Sequence, residues 1–324
     1  MGLAAICSGW RLEIDQESPK VIRAPVALFV YNRPMHTRQT VEALLNNAEA
    51  AQTALYVFSD APRDAAARKA VAKVRTYIRS IAGFNSVTII ERETNFGLAR
   101  SIIDGVTKLC EEYGRVIVLE DDLVTSPHFL AFMNDALTRY EKEDRVMQVA
   151  GYMFPMELNI REGALLLPFI SSWGWATWQR AWLHFDGSAK GYEKLAKDRG
   201  LIKKFDLDGH YSYFKMLRAQ QQGKSESWAI RWYLSVFLHN GLALYPRKTM
   251  VQNIGFDGSG VNCAVSNIEE LPLDMNFKVQ SMPDEIEISL AQDAVLNNMP
   301  VPSLSMVSMV NRLLSAFKRI QGLR

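Results

Sequence analysis

Hydrophobic positions along residues 24–153 follow two alternating rhythms. "APVALFVYN" (24–32) is a continuous apolar run rich in Val and Phe, the pattern of a strand buried on both faces. "ALYVFSDAP" (54–62), "SVTIIERE" (86–93) and "RVIVLEDD" (115–122) predict three more strands. Between them the apolar spacing becomes helical. Val41, Leu44 and Leu45 make one stripe over 36–47, an Ala/Arg/Lys-rich amphipathic helix covers 63–83, and a third helix over 98–114 ends at Gly114. A fourth is expected over 126–144, with Ser126 as N-cap and Pro127 at its first position, and a fifth strand over 146–153. Four strand–helix alternations predict a parallel, doubly wound α/β sheet with right-handed crossovers.

Ligands of such sheets bind outside the carboxyl ends of the strands. The predicted ends are Tyr31-Asn32-Arg33-Pro34, Ser59-Asp60-Ala61-Pro62, Arg92-Glu93-Thr94-Asn95 and Glu120-Asp121-Asp122, which should gather on one rim. Three successive carboxylates closing a greasy strand repel one another and call for a cation. Mg²⁺ or Mn²⁺ fits, because each takes hard oxygen ligands, uses one or two carboxylates and leaves the rest of its shell to phosphates. Arg33 and Arg100 would add positive charge to the same phosphates. No G-x-G-x-x-G follows the first strand and no P-loop signature occurs, which argues against a dinucleotide-dependent dehydrogenase and a P-loop NTPase. On these residues alone, a phosphoacceptor receiver pocket or a solvated acidic surface stays open.

From residue 151 the chain turns rich in Trp, Tyr, Gly and polar loops, as in "SSWGWATWQRAW" and "SESWAIRWYLSVFL". Such a segment reads either as an aromatic wall stacking on sugar rings or as an aromatic core. The net charge of +2 over 324 residues gives no electrostatic argument for a nucleic-acid partner. Cys7, Cys110 and Cys263 show no metal or disulfide spacing and fit a reducing compartment, so a cytoplasmic location is expected. There is no apolar run of the roughly 18 residues that a membrane span needs, and no signal peptide is read at the start. Near the end, Met306, Val310, Leu313, Leu314 and Phe317 share one helical face beside Arg312, Lys318, Arg319 and Arg324. That helix would pack on its own domain or on a second subunit, or would lie on the inner face of an anionic membrane.

"EDD" (120–122), "SSWGWATWQRAW" (171–182) and "LYPRKTMVQNIGFDGSGVN" (244–262) occur in tandem, and together they resemble bacterial glycosyltransferases of the GT-A fold, in particular the group related to N-acetylglucosaminyltransferase I. The resemblance runs from about residue 24 to 263. It implies a Rossmann-related, mostly parallel sheet with helices on both faces and a loop- and Trp-rich acceptor half. It divides the chain into an extension (1–20), a donor half (21–150), an acceptor half (151–275) and a helical tail (276–324). It also implies inverting, metal-dependent transfer of a sugar, with uridine the better guess for the donor's base, to a hydroxyl of a glycan or glycolipid.

By this likeness Asp122 ligates Mn²⁺ or Mg²⁺, Glu120 and Asp121 contact the donor's sugar and ribose, and Arg33 holds the nucleotide end. Asp60 falls near the base, Asn95 in the loop beside it, and Asn253 opens a Gly-rich stretch expected to fold over the donor. Trp173, Trp175, Trp228 and Arg231 are the expected acceptor contacts. Two departures stand out. Ala229 follows Trp228 where the related enzyme has a catalytic Asp, which leaves Glu226 as the base candidate, and Asn262 stands where a His is expected. Competing readings are a sugar-1-phosphate nucleotidyltransferase, a transferase fold that keeps only binding, and a receiver-like regulatory module.

Overall fold

The computed structural model describes residues 23–258 and 272–299. The terminal amphipathic segment, Asn262, Cys7 and Cys263 lie outside the described residues. Among the described residues ten strands are present: β1 (Val26–Val30), β2 (Ala54–Ser59), β3 (Ser86–Glu91), β4 (Arg115–Glu120), β5 (Leu123–Thr125), β6 (Val146–Ala150), β7 (Ala164–Leu167), β8 (Trp175–Trp178), β9 (Leu242–Pro246) and β10 (Val251–Asn253). The helices are α1 (Pro34–Leu45), α2 (Arg68–Ile78), α3 (Gly97–Tyr113), α4 (Phe129–Arg139), α5 (Gln179–Trp182), α6 (Tyr192–Lys197), α7 (Arg199–Phe205), α8 (Tyr213–Gln221), α9 (Trp228–Leu238) and α10 (Gln292–Asn297). None is long and apolar enough to cross a membrane.

Eight strands form one sheet in the order β3-β2-β1-β4-β8-β6-β9-β7, and both halves of the chain contribute to it. The first four pair in parallel, as do β6 and β9; β8 runs antiparallel to both neighbours. The fold class is therefore α/β with a mostly parallel sheet. β1 shows why a central strand reads as continuously apolar. Val26, Leu28 and Val30 face a cluster with Val41 and Leu44 of α1 and Val74 and Ile78 of α2. Ala27 and Phe29 face Ile102, Val106 and Leu109 of α3 on the other side. Each of the Val, Leu, Ile and Phe side chains among them contributes about 1.5–3 kcal/mol on burial. A methyl on Gly105 of α3 would sit 2.7 Å from Phe29 and 3.0 Å from Phe58, so glycine there lets the helix approach the sheet.

One strand and one helix start differ from what local pattern shows. Between β4 and β6 the sheet inserts β8, cut from the Trp-rich motif, in the register Val118↔Trp175 to Arg115↔Trp178. Its tryptophans are buried on opposite faces, so the strand shows no polar alternation. The fourth helix starts at Phe129, with His128 rather than Ser126 at the N-cap. Residues 123–125 are drawn instead into a two-stranded antiparallel ribbon with β10, and the Ser126 N–H donates to the Met250 carbonyl at 2.8 Å. The register of that ribbon, Asn253↔Leu123, carries the segment after β10 back across Asp122.

Candidate donor site

The carboxyl ends of β1, β2 and β4 open onto a cavity of about 230 Å³. Glu120, Asp121 and Asp122 line it together with Arg33, Asp60 and Asn95, so six of the sequence-predicted residues come together. Arg33 precedes α1, whose Pro34 supplies the fixed φ that suits a first helical position. Its guanidinium pairs with Asp121 and, at 2.9 Å, with Asp122 Oδ2. Burial alone would lower the Arg33 pKa, but the two carboxylates override it and hold the cation above its ordinary value. Asp121 also accepts from the Tyr31 N–H at 3.3 Å, and its carbonyl accepts from the Thr40 hydroxyl at 2.9 Å.

One cation does not neutralise three acids. Burial first, then the charges of Asp122 and Asp121, push the Glu120 carboxyl up to about 8, with Arg33 acting the other way. Asp121 is raised as well, by burial first, against Arg33. Among the described residues no three His, Cys, Asp or Glu side chains converge as a ready-made metal cage. The set fits an oxygen-seeking divalent ion that takes one or two carboxylates and finds its other ligands in water and phosphate, the habit of Mg²⁺ and Mn²⁺.

Asp60 is occupied by three backbone N–H groups and one side-chain amide. Its Oδ1 accepts from the Ala61 and Phe96 N–H groups, both at 2.8 Å. Its Oδ2 accepts from the Gly97 N–H at 2.9 Å and Asn95 Nδ2 at 3.0 Å. The acid clamps the 95–97 turn that opens α3. Arg100 lies outside the cavity: its guanidinium stacks 3.7 Å from the Phe96 ring centre, which also carries Arg92 at 4.4 Å.

The segment after β10 covers the acids. Ile254 N–H donates to the Asp122 carbonyl at 2.9 Å, and Gly255 N–H donates to Asn253 Oδ1 at 2.8 Å. His36 Nε2 lies 3.2 Å from the Ile254 carbonyl and 3.3 Å from Asp257 Oδ2, tying the segment to α1. Phe256 meets Trp173 edge-on with ring centres 5.5 Å apart, and Trp173 meets Tyr152 at 4.4 Å. Gly255 sits closest: a Cβ there would be 2.2 Å from Asp122 Oδ2 and 3.0 Å from Arg33. Sequence reasoning singled out neither His36, Gly255, Phe256 nor Tyr152. The glycine run around 255–260 was the available signal for the close approach.

The acceptor residues divide. Trp173 is half-buried beside the covering segment. Trp175 and Trp228 are only 1% and 4% exposed and stack on each other at 5.0 Å, so neither offers a free ring face to a sugar. Both belong to the core beneath α3 and α9, which corrects the expectation of an aromatic wall at those positions. Arg231 donates to the carbonyls of Ser227 at 3.0 Å and Gly187 at 3.2 Å and braces the start of α9. Glu226 is exposed just ahead of Ser227, whose Oγ caps that helix. Because Trp228 stacks on Trp175, which pairs with Val118 two residues before Glu120, the start of α9 falls on the same rim as the acids.

No protein-family model and no curated protein matches this sequence. Among solved structures, the chain is similar to GalNAc-T7 with UDP, GalNAc and Mn²⁺, at a TM-score of 0.45 and 11% identity over 71% of this chain and 44% of that one. It is also similar to the mannosyltransferase PcManGT from Pyrobaculum calidifontis in complex with GDP-Man and Mn²⁺, at 0.38 and 13% over 68% and 71%. A third is mouse xyloside xylosyltransferase 1 in its apo form, at 0.35 and 12% over 66% and 81%. This chain thus spans less than half of the GalNAc-T7 chain.

Proposed function

We propose that this protein is a metal-dependent, inverting glycosyltransferase that moves a sugar from a nucleoside-diphosphate sugar, UDP-linked by preference, to a hydroxyl of a glycan or glycolipid. The observation that carries this reading is the under-neutralised acid triplet at the end of β4, facing a cavity at the carboxyl rim of a parallel sheet beside Arg33. A nucleoside diphosphate with its divalent ion brings charge of both signs to such a place.

Asp122, with Asp121 beside it, would hold Mn²⁺ or Mg²⁺. When bound, the ion neutralises the charge that grows on the departing diphosphate. Arg33 serves the same oxygens from the other side. Glu120 and Asp121 face the sugar and ribose, and the 95–97 turn borders the base. The 253–257 segment excludes water above the acids. Transfer is a single displacement: the acceptor oxygen bonds to the anomeric carbon, the bond to the diphosphate oxygen breaks, and the acceptor proton passes to a base. Glu226, on the rim at the start of α9, is assigned that role, and Trp173 the role of an acceptor-side ring.

Calorimetric titration with UDP, GDP and CDP, with and without Mn²⁺, tests the reading on wild type and Asp122→Ala. Metal-dependent binding of one nucleotide is expected, weakened at least tenfold in the variant, with a matching rise in melting temperature only where binding occurs. A wild-type protein that binds none of the three, with or without metal, would sink it.

A further inference from the structure

In a parallel sheet, neighbouring strands are about 4.8 Å apart, so the end of β2 lies about 10 Å from the end of β4, across β1. That separation suits the ribose that links a base to its diphosphate. At the β2 end the cavity is walled by Phe58, Leu98 and Phe29, apolar surfaces fit for a flat ring. The polar groups available there decide which base is taken. Asp60 is the obvious reader by residue type, but a carboxylate has about four acceptor sites, and Ala61, Phe96, Gly97 and Asn95 already fill four.

Ser101, one turn into α3, also lines this cavity. It is 6% exposed, and its hydroxyl has no hydrogen-bond partner among the described residues. A serine inside a helix can bond to the carbonyl four residues back. Here that carbonyl belongs to Gly97, the first residue of α3, and the Ser101 hydroxyl makes no bond to it. The hydroxyl is therefore held in a buried place without the local partner that would satisfy it, a state that costs free energy unless something else supplies the bond.

We infer that Ser101, and not Asp60, reads the edge of the donor's base. This rests on the donor-site reading above. A hydroxyl both donates and accepts, and rotation about one bond turns it to the ring edge. Asp60 is a positioning residue: it shapes the slot by clamping the 95–97 turn.

The test is calorimetric titration of wild type, Ser101→Ala and Asp60→Asn with UDP, CDP, TDP, GDP and ADP in Mn²⁺, with ligand-free melting curves. For Ser101→Ala, affinity for the preferred base should fall about fivefold, the worth of one neutral hydrogen bond, with the other bases within about twofold. The ligand-free variant should melt about 2 °C higher, because an unpartnered buried hydroxyl has been removed. Asp60→Asn should melt lower and keep the wild-type order of bases. An unchanged base preference in Ser101→Ala, or a preference flattened by Asp60→Asn, overturns the inference while leaving the donor site intact. Failure of the wild type to bind any nucleotide removes the donor site itself, and this inference with it.

Discussion

Gly255 offers the sharpest structural test, because adding one methyl group forces a choice between two well-anchored partners. In Gly255→Ala the new carbon would be 2.2 Å from Asp122 Oδ2, about an ångström inside ordinary contact, and 3.0 Å from both Arg33 and Asn253 Oδ1. The carboxylate cannot step aside freely, since Arg33 holds the same oxygen at 2.9 Å. If the backbone lifts instead, the Ile254 bond to the Asp122 carbonyl and the Gly255 bond to Asn253 are strained or lost. Overpacking typically costs about 1–3 kcal/mol and a lost hydrogen bond about 1 kcal/mol, so a destabilisation of about 2–4 kcal/mol follows. For a chain of this size that is a drop of roughly 4–8 °C in melting temperature.

The assay is urea unfolding and a thermal melt of wild type and Gly255→Ala, both free of metal, followed by Mn²⁺ titration. Weaker Mn²⁺ binding should accompany the stability loss, because either escape route moves Asp122 or the segment above it. A melting temperature within about a degree of wild type, with metal affinity unchanged, would refute the seating of the 253–257 segment on Asp122.

Two further outcomes follow from the buried titratable groups. In metal-free protein the folded Glu120 carboxyl is raised to about 8 by burial and then by its acidic neighbours. Folding therefore favours the protonated form, whose contribution is complete below the ordinary carboxylate range and lost as pH rises through about 8. Glu120→Gln, which cannot ionise, should gain a few kcal/mol relative to wild type between pH 5 and pH 8.5 in denaturant titrations with EDTA, and parallel profiles for the two proteins would contradict this. Cys110 is 1% exposed, and burial, followed by Glu111, pushes its thiol up to about 12. Iodoacetamide at pH 8 should leave the Cys110 peptide unmodified in native protein and alkylate it in urea; equal labelling in both states would show the α3 core to be open.

Residues 24–122 were legible because local rules and tertiary structure agree there. Val26–Val30 is buried on both faces as its uninterrupted apolar run implies, and α3 ends where Gly114 takes a left-handed φ of 72°. Arg33, Asp60, Asn95 and the acid triplet were found from strand ends alone, since a parallel sheet delivers all its carboxyl ends to one rim. The Trp-rich half was harder to read. Trp175 and Trp178 belong to a strand packed on both faces, and neither periodicity nor spacing separates such a strand from a ligand-facing loop. The β5–β10 ribbon joins residues 126 to 130 positions apart through three pairs, and its segments are too short to show alternation. Ser126 has the composition of a helix cap, and tertiary pairing overrode it.

Residue type states what a side chain can do, while its neighbours decide whether that capacity is free. Asp60 and Ser101 show this in opposite directions. By type the aspartate is the better ligand contact, but the Ala61 N–H and the turn from Asn95 to Gly97 together fill its acceptor sites. The serine looks like an ordinary helix residue, yet its buried hydroxyl has no partner among the described residues and it lines the cavity. The same logic governs the acids. Asp121 and Asp122 share one guanidinium from a turn about 90 residues earlier, which leaves Glu120 to carry the unrelieved repulsion. Under the proposed function, a divalent ion entering beside Arg33 would relieve that repulsion, so the strain among the acids would favour binding of a metal with its diphosphate.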